Sequence, residues 1–348
     1  MADHQHMRIL ILGGSVFLGR AFVTEAQRRG HEVTIFNRGR SGTDPEGVEV
    51  VRGDREVADD LRRLAEGHTW DAVVDTSGMH PRVVGESARA LSGHAGAYLF
   101  VSSFHAYEGW PAEAVSETSP RHACASDAAP DDVAYNALKA GCERAVEESF
   151  AGDALILNPG VIVGPHESTG RLLWWLERMA RGGQVLAPGR ADQSVQVIDA
   201  RDIAAFGLDQ LEVKATGRFL VTGPVGATSF GDLLAGCAEV TGSDAEVVWV
   251  DETFLLDKEV AVWTGLPLWA VDQPGMAGTW LASSDKALAA GLRCRPLAET
   301  VRDTWQWLQH RGPSAGPYKQ GTTLLGLEPE QEQRLLAEWG ARRGSESA

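Results

Sequence analysis

The strongest constraint on this chain is the stretch from Met7 to Arg40, MRILILGGSVFLGRAFVTEAQRRGHEVTIFNRGR. It opens on a short apolar run, residues 9–12, too short for a helix and closed by Gly13-Gly14, which is how a strand buried on both faces reads. From Phe17 the apolar residues Phe17, Leu18, Ala21, Phe22 and Ala26 recur at helical spacing. They stop at Arg28-Arg29-Gly30, where a glycine marks a C-terminus and two cations complement the helix dipole. A second apolar strand, residues 33–36, begins almost at once. Strand, glycine turn, helix and strand in so few residues make a βαβ unit.

The helix N-terminus of such a unit aims unpaired N–H groups at whatever lies over the turn, which suits a pyrophosphate. Gly13 and Gly14 let the backbone turn and approach a ligand, Gly19 lets the helix pack near the strand, and Ser15, Phe17 and Leu18 are the other turn residues expected beside a cofactor. Val16 stands where a GxxGxxG pattern has its middle glycine, so a plain strand-to-helix turn is the competing reading. The end of the second strand, Asn37-Arg38-Gly39-Arg40, adds a cue. NAD-preferring sites carry an acid there for the ribose 2′-hydroxyl, whereas a neutral Asn followed by Arg38 and Arg40 suits a 2′-phosphate. NADP(H) is the expected cofactor, with NAD(H) the alternative.

Further along, strands are expected at 48–51, ending in Gly53-Asp54-Arg55, at 72–74, running into Asp75-Thr76-Ser77-Gly78, and at 97–101, ending in Ser102-Ser103. Helices at 59–66 and 82–91 separate them. The order βαβαβαβ with short links predicts an α/β fold, a Rossmann-like doubly wound parallel sheet whose ligands bind at the carboxyl ends of the strands. That rule gathers Gly13, Asn37, Asp54, Thr76 and Ser103 on one edge. Residues 104–130 form a long polar loop with three prolines. A helix then resumes near Asp131, with Asp131-Asp132 at its N-terminus and 133–150 as its body, and a strand at 155–157 leads to Asn158-Pro159-Gly160. After Gly164-Pro165 the chain turns tryptophan-rich. Helices are expected there at 171–180, 202–211, 230–240, 297–310 and 328–341, strands at 195–198, 219–222 and 247–250, and a linker at 312–316. The expected division is a dinucleotide-binding domain over 1–165, a smaller mixed α/β substrate domain mainly over 166–312 with elements returning to the first sheet, and a closing linker and helix over 313–348.

The 348 residues have room for one large or two modest cores. A net charge of −16, with no basic run longer than Arg342-Arg343, argues against a nucleic-acid partner. No apolar run approaches the ~20 residues of a bilayer span, and Met1 to His6 has no signal-peptide core, so no membrane partner and a cytoplasmic location are expected. Cys124, Cys142, Cys237 and Cys294 are widely spaced without a CxxC pair, and the ten histidines lack HxxxH or HExxH spacing, so no metal is expected.

The helix after the long loop carries Tyr135 and Lys139 in AYNALKAGCE. A spacing of four puts both side chains on one helix face, where an ammonium favours phenolate and lowers a tyrosine pKa from about 10. Ser103, ending the fifth strand, is placed to hold a substrate oxygen beside that phenol. A Tyr-x-x-x-Lys pair alone is also what a solvated helix surface shows; its company of βαβ unit, Ser-Ser strand end and long loop, in that order, makes it specific.

GGSVFLG near the start, GDR at 53–55, VSSFHAYEG at 101–109, YNALK at 135–139, NPGVIVGP at 158–165 and VQVIDARDIA at 195–204 together resemble an extended or atypical short-chain dehydrogenase/reductase, of the NAD-dependent epimerase/dehydratase group. The resemblance runs from Arg8 to about Leu308. It implies Tyr135 as catalytic acid/base, Lys139 as the residue that holds the nicotinamide ribose and lowers the tyrosine pKa, and Ser103 as the group orienting the substrate oxygen. It further implies Asp54, with Arg55 beside it, near the adenine, Thr76, Ser77 and Gly78 along the adenosine ribose and phosphates, and Pro159 and Gly160 against the nicotinamide. Val16 is shared with atypical members and with a sister group similar to the chloroplast stem-loop-binding proteins, and Asn158 stands where sugar-nucleotide enzymes often have arginine.

His80, His105 and His166 follow predicted strand ends, Tyr107 and Trp110 lie in the long loop, and Trp174 opens a tryptophan pair; these are the candidate substrate contacts. Trp175, Trp263, Trp269 and Trp280 read as core or pocket wall, and Glu117 as a solvated loop carboxylate. The expected activity is an NADP(H)-preferring oxidoreductase acting on a small-molecule substrate, with hydride transfer at a carbonyl or hydroxyl carbon, in a monomer or homodimer. A nucleotide-sugar epimerase or dehydratase, for which Arg171, Arg190 and Arg201 are the evident diphosphate partners, is the alternative within enzymes. A non-catalytic dinucleotide-binding regulator or RNA-binding protein is the alternative outside them.

Overall fold

The computed structural model of the protein describes residues 6–129, 133–312 and 317–346. In chain order the elements are β1 (Arg8–Leu12), α1 (Phe17–Arg28), β2 (Glu32–Asn37), β3 (Glu49–Arg52), α2 (Ala58–Ala65), β4 (Trp70–Asp75), α3 (Pro81–Leu91), β5 (Ala95–Val101), α4 (Tyr135–Ser149), β6 (Asp153–Pro159) and β7 (Val161–Val163). There follow α5 (Arg171–Ala180), β8 (Gln184–Pro188), β9 (Val197–Asp199), α6 (Ala200–Glu212), β10 (Gly217–Val221), α7 (Phe230–Thr241), β11 (Glu246–Val250), α8 (Glu252–Asp257), α9 (Asp285–Ala289), α10 (Leu297–Arg311), β12 (Lys319–Gln320), β13 (Thr323–Leu324) and α11 (Pro329–Glu346). They group into two compact units, the first comprising the chain up to Ile162 with Val197–Pro224 and Leu281–Cys294, the second comprising the rest.

The first unit is built on one seven-stranded sheet in the order β10-β6-β5-β4-β1-β2-β3, with every neighbouring pair parallel. Alternation along β1 explains the layering. Ile9 and Ile11 face one side and join Phe22, Val23 and Ala26 of α1 and Ile203 and Phe206 of α6; Leu10 and Leu12 face the other and join Leu61 and Leu64 of α2, Val84 and Ala88 of α3 and Val146 of α4. Because both faces are covered, the strand is apolar throughout rather than alternating. The strand order reverses between β1 and β4, so a crevice opens beyond their carboxyl ends, at Gly13 and Thr76.

Several local expectations are revised. Arg29 does more than complement a helix dipole: its guanidinium is buried between α1 and α6, bonded to Glu25 (2.8 Å), Asp209 (2.7 Å), Glu212 (3.0 Å) and the Ala205 carbonyl (3.0 Å). The helix with the tyrosine begins at Tyr135, after an extended Ala134; Pro130, Asp131 and Asp132 lie outside the described residues, as do residues 313–316 of the expected linker. Glu117 is no solvated carboxylate, since its Oε1 accepts from the Leu220 N–H of edge strand β10 at 2.7 Å. The strand expected at 195–198 is displaced to β9, and β7, β8, α8, α9, β12 and β13 are too short to leave a periodic signal.

In the second unit β8 and β11 pair in parallel, and α5 packs against α7 and α10. Trp175 and Trp269 are fully buried there, with the Trp175 indole N–H donating to the Pro267 carbonyl at 2.7 Å. Arg178 reaches from α5 to Glu332 (2.7 Å), tying α11 to this unit. No helix among the described residues is long and apolar enough to cross a membrane.

Candidate active site

At the glycine turn, Gly13 and Gly14 have φ of 110° and 92°, conformations other residues rarely adopt. A Cβ on Gly19 would lie 2.7 Å from the Gly14 nitrogen, so only glycine lets α1 seat its first turn on the loop. The N-cap residue of α1, Val16, supplies no side-chain acceptor, and the first turn has no acidic residue. No acidic side chain of the first turn opposes an anion at this helix start, and the glycine turn leaves the room a dinucleotide pyrophosphate would need. Phe17, at the first helical position, is held at φ 40°, a strained value for an aromatic residue. Leu18 is buried in the α1 face of the core. Across the crevice Thr76 Oγ1 and Ser77 Oγ donate to the Leu12 carbonyl at 3.3 and 3.2 Å, closing the ends of β1 and β4 on each other.

Asn37, at the end of β2, donates through Nδ2 to Ser15 Oγ (2.9 Å) and to Asp44 Oδ1 (3.0 Å). Arg52, ending β3, bonds both Asn37 Oδ1 and the Asp44 carboxylate. Neither Asp44 nor Arg52 stands out in the sequence: each joins the site through a loop or a neighbouring strand. Arg38 is half-exposed, 3.7 Å from Asp54, and Arg40 is exposed. The Asp54 N–H is capped by Asp60 at 2.7 Å. Arg55 follows Asp54 but turns inward, with a two-pronged bond to Asp75 (2.8 and 2.7 Å) and contacts to Ser77 and Ser87. Burial alone would raise the Asp75 pKa; the Arg55 charge and hydrogen bonds from Arg55, Tyr98 and the Ser77 N–H outweigh it and hold the carboxyl below its ordinary range. Arg55 thus braces the Ser77–Gly78 turn from behind.

At the other end of the edge, Lys139 is buried and donates to the carbonyls of Gly78 (2.9 Å) and Val101 (3.1 Å), with its Nζ 4.6 Å from the centre of the Phe100 ring. Burial lowers its pKa. Two of three ammonium protons are committed to the strand ends that frame the crevice. Tyr135, one helical turn earlier, is 46% exposed. Ser103 is buried, and its Oγ accepts from the His105 N–H at 3.2 Å in the turn Phe104–Ala106. The His105 ring stands 5.8 Å from Tyr135 and 4.1 Å from Trp110, and its Nδ1 lies 2.9 Å from Asn136 Oδ1. His105, Trp110 and Tyr135 are thereby brought together. His80 precedes α3 as its N-cap. Gly160 closes on β10 through a 3.0 Å bond from its N–H to the Val221 carbonyl, and its missing Cβ makes room for Thr222, which would otherwise lie 2.4 Å away.

Tyr107 does not face a ligand. It is buried, and its hydroxyl donates to Asn158 Oδ1 at 3.2 Å, because Asn158 belongs to a polar cluster beneath the site. The centre of that cluster, Glu143, is fully buried and accepts from Ser102 Oγ (2.5 Å), Asn158 Nδ2 (2.6 Å) and Arg121 (3.0 Å). Its only sequence signal is an acid at i+4 from Lys139 on a face otherwise buried.

Two candidate contacts belong to the second unit. His166, at φ 67°, packs its ring 4.9 Å from Trp307, and Trp174 is buried edge-on to Trp175 at 4.7 Å. Of the arginines considered for a diphosphate, Arg190 pairs with Asp192 at 3.1 Å in the second unit, Arg171 lies 3.6 Å from the Glu167 carboxylate that caps α5, and Arg201, in the first, clasps Asp199 at 2.7 Å. Among the described residues no group of three or more His, Cys, Asp or Glu is arranged to hold a metal ion.

Residues 9–88 match the model of the NAD dependent epimerase/dehydratase family. The chloroplast stem-loop binding protein of 41 kDa b from Arabidopsis thaliana is 25% identical over 251 residues, which are 68% of this chain; the chain spans only 63% of that relative's length. Thermus thermophilus UDP-glucose 4-epimerase, solved with NAD, has a TM-score of 0.62 at 20% identity, covering 86% of this chain and 98% of its own. UDP-N-acetylglucosamine 4-epimerase from Methanobrevibacter ruminantium has a TM-score of 0.66 at 18% identity, covering 88% and 100%. At such identities the structures speak to fold alone, which is the parallel seven-stranded sheet with flanking helices described above. The family match is confined to the phosphate-binding end, residues 9–88, and the likeness to the epimerase structures is one of fold.

Proposed function

We propose that the protein is a nicotinamide-dinucleotide-dependent oxidoreductase that moves hydride to or from a carbon bearing a hydroxyl or carbonyl group. The observation that carries this is the alignment of one edge: an anion-ready helix start at Gly13–Phe17, the buried Lys139 ammonium fixed to the ends of β4 and β5, and an accessible Tyr135 one turn before it. The dinucleotide, when bound, supplies the hydride acceptor or donor. Lys139 keeps a positive charge beneath the phenol and has a proton left to offer a ribose hydroxyl. Tyr135 takes the substrate hydroxyl proton, or returns it in the reducing direction, and Ser103 orients the substrate oxygen.

Asn37, Arg38 and Arg40 speak for NADP(H), whereas the Thermus thermophilus neighbour is an NAD complex. The substrate is a small molecule. A nucleotide sugar, with the cofactor oxidised and re-reduced within one cycle, is the second reading, favoured by neighbours named as UDP-sugar epimerases. The stem-loop-binding relative raises RNA binding as an activity of another class, and the net charge of −16 opposes it.

The test is turnover by purified protein with each dinucleotide against panels of carbonyl compounds and UDP-sugars, together with RNA binding at physiological salt. Net change in reduced cofactor identifies a reductase; sugar interconversion without it identifies an epimerase. Tyr135→Phe should abolish either while leaving dinucleotide affinity intact. Equal turnover by Tyr135→Phe and wild type would refute the assignment.

A further inference from the structure

The chain that follows β5 builds an aromatic wall beside Tyr135. Phe104 is buried at its base, and the rings of His105 and Trp110 stand 4.8 and 4.6 Å from it and 4.1 Å from each other. His105 in turn meets Tyr135 edge-on, with ring centres 5.8 Å apart and planes 75° to one another. Each ring is held through its backbone. The His105 N–H donates to Ser103 Oγ and its Nδ1 lies 2.9 Å from Asn136 Oδ1 in the first turn of α4, while Trp110 rides on a turn closed by the Glu113 N–H donating to the Gly109 carbonyl at 2.8 Å. His105 and Trp110 are nevertheless only half-buried, and Tyr135 is exposed, so three of the four rings keep surface for a ligand. Rings ordered before a ligand arrives spare it that entropy cost on binding.

The same segment is poor in positive charge. Residues 104–120 contain no Lys or Arg, and the exposed acids Glu108 and Glu113 flank Trp110 in the chain. The three arginines considered for a diphosphate each face a carboxylate, Arg171 that of Glu167, Arg190 that of Asp192 and Arg201 that of Asp199. A flat, uncharged ring suits such a wall, whereas a diphosphate beside it would meet like charge. On the oxidoreductase reading proposed above, on which this one rests, we infer that the substrate is a neutral aryl ketone, or the secondary alcohol formed from it, with its ring stacked on Trp110 and His105. The carbonyl carbon takes a hydride from the reduced dinucleotide and the carbonyl oxygen takes the Tyr135 proton. The products are the secondary alcohol, the oxidised dinucleotide and a phenolate that water reprotonates.

The test compares acetophenone with methyl cyclohexyl ketone, which keeps the carbon skeleton and loses the flat ring, in the full chain supplied with NADPH or NADH. Wild type, Trp110→Leu and Trp110→Phe are assayed side by side. The ratio of kcat/KM for the two ketones, compared between wild type and variant, cancels their intrinsic reactivities. Trp110→Leu should shift that ratio against acetophenone by about three- to tenfold, the scale of one aromatic pair, chiefly through KM. Trp110→Phe, which keeps an aromatic face, should restore most of the preference. A shift of less than about twofold in the leucine variant overturns the aryl assignment. So does a wild type that binds a dinucleotide and interconverts UDP-sugars, or turns over neither ketone. Wild type that binds neither dinucleotide refutes the oxidoreductase reading itself, a different result from an unmoved ratio.

Discussion

Replacing Glu143 tests whether the polar cluster beneath the site, rather than apolar packing, holds the strand ends of the candidate site together. This one buried carboxylate ties α4 to Ser102 at the end of β5, to Asn158 near the end of β6 and to Arg121 of the long loop. Asn158 passes the restraint on, since its Nδ2 also donates to the Ser103 carbonyl at 3.1 Å. In Glu143→Leu the Ser102 hydroxyl and the Asn158 amide lose a buried acceptor, and Arg121 keeps Glu147, at 3.2 Å. Two neutral donors left without that acceptor cost about 2–6 kcal/mol, and Arg121, still paired with Glu147, adds little, so a loss of about 4 kcal/mol is expected. Glu143→Gln keeps one acceptor oxygen for Ser102 and Asn158 but turns an NH₂ group toward Arg121, and should lose about 1–3 kcal/mol.

Hydrogen exchange of the α4 and β5 amides reads the free energy of opening where the change is made. Turnover gives a second readout. Ser103 is carried by the cluster and the glycine turn is not, so kcat should fall while dinucleotide Kd stays within about threefold. Protection in Glu143→Leu within about 1 kcal/mol of wild type, or a glutamine variant as damaged as the leucine one, would refute the reasoning.

Asp75→Asn should cost about 3–5 kcal/mol at neutral pH by stranding Arg55. The folded Asp75 pKa lies below its unfolded value near 4, so the contribution is complete above that value and lost as pH falls through the folded one. The stability gap between wild type and variant should hold steady down to about pH 5 and close below about pH 4; a gap that widens on acidification contradicts the pair. Arg29→Ala should lower stability by about 3 kcal/mol, with little dependence on salt because the guanidinium is 3% exposed; denaturant titrations at two ionic strengths check both. Gly19→Ala should weaken dinucleotide binding at least tenfold by pushing α1 off the turn, whereas Gly30→Ala, with nothing within 4 Å, should cost only about 1 kcal/mol of backbone strain and leave Kd unchanged.

The sheet was legible because its signals are local. A strand covered on both faces must be apolar at every position, and a helix over it must repeat at 3.6, so α1 and α5 begin and end where the pattern puts them. Short elements carry no such pattern: β8 and α8 span five and six residues and take their structure from β11 and from an Asp251 cap. The strand-end rule also placed the edge residues correctly in chain order, since a parallel sheet brings each carboxyl end to the same side.

What one residue's sequence position does not encode is its partner. Arg38 and Arg55 both follow strand ends and both read as cofactor contacts, yet one is half-exposed near Asp54 and the other is sunk against Asp75. The difference lies in β4, whose terminal Asp75 is buried and demands a cation; Arg55 is within reach, and no unpaired carboxylate could remain in that place. Tyr107 and Glu117 were misassigned for the same reason, each being claimed by a distant acceptor or donor, Asn158 in β6 and the Leu220 N–H in β10. A polar residue at a strand end is therefore a ligand contact only after the buried charges and strand edges around it have taken their partners. By that criterion Arg55, bonded to both oxygens of Asp75, is not a ligand contact.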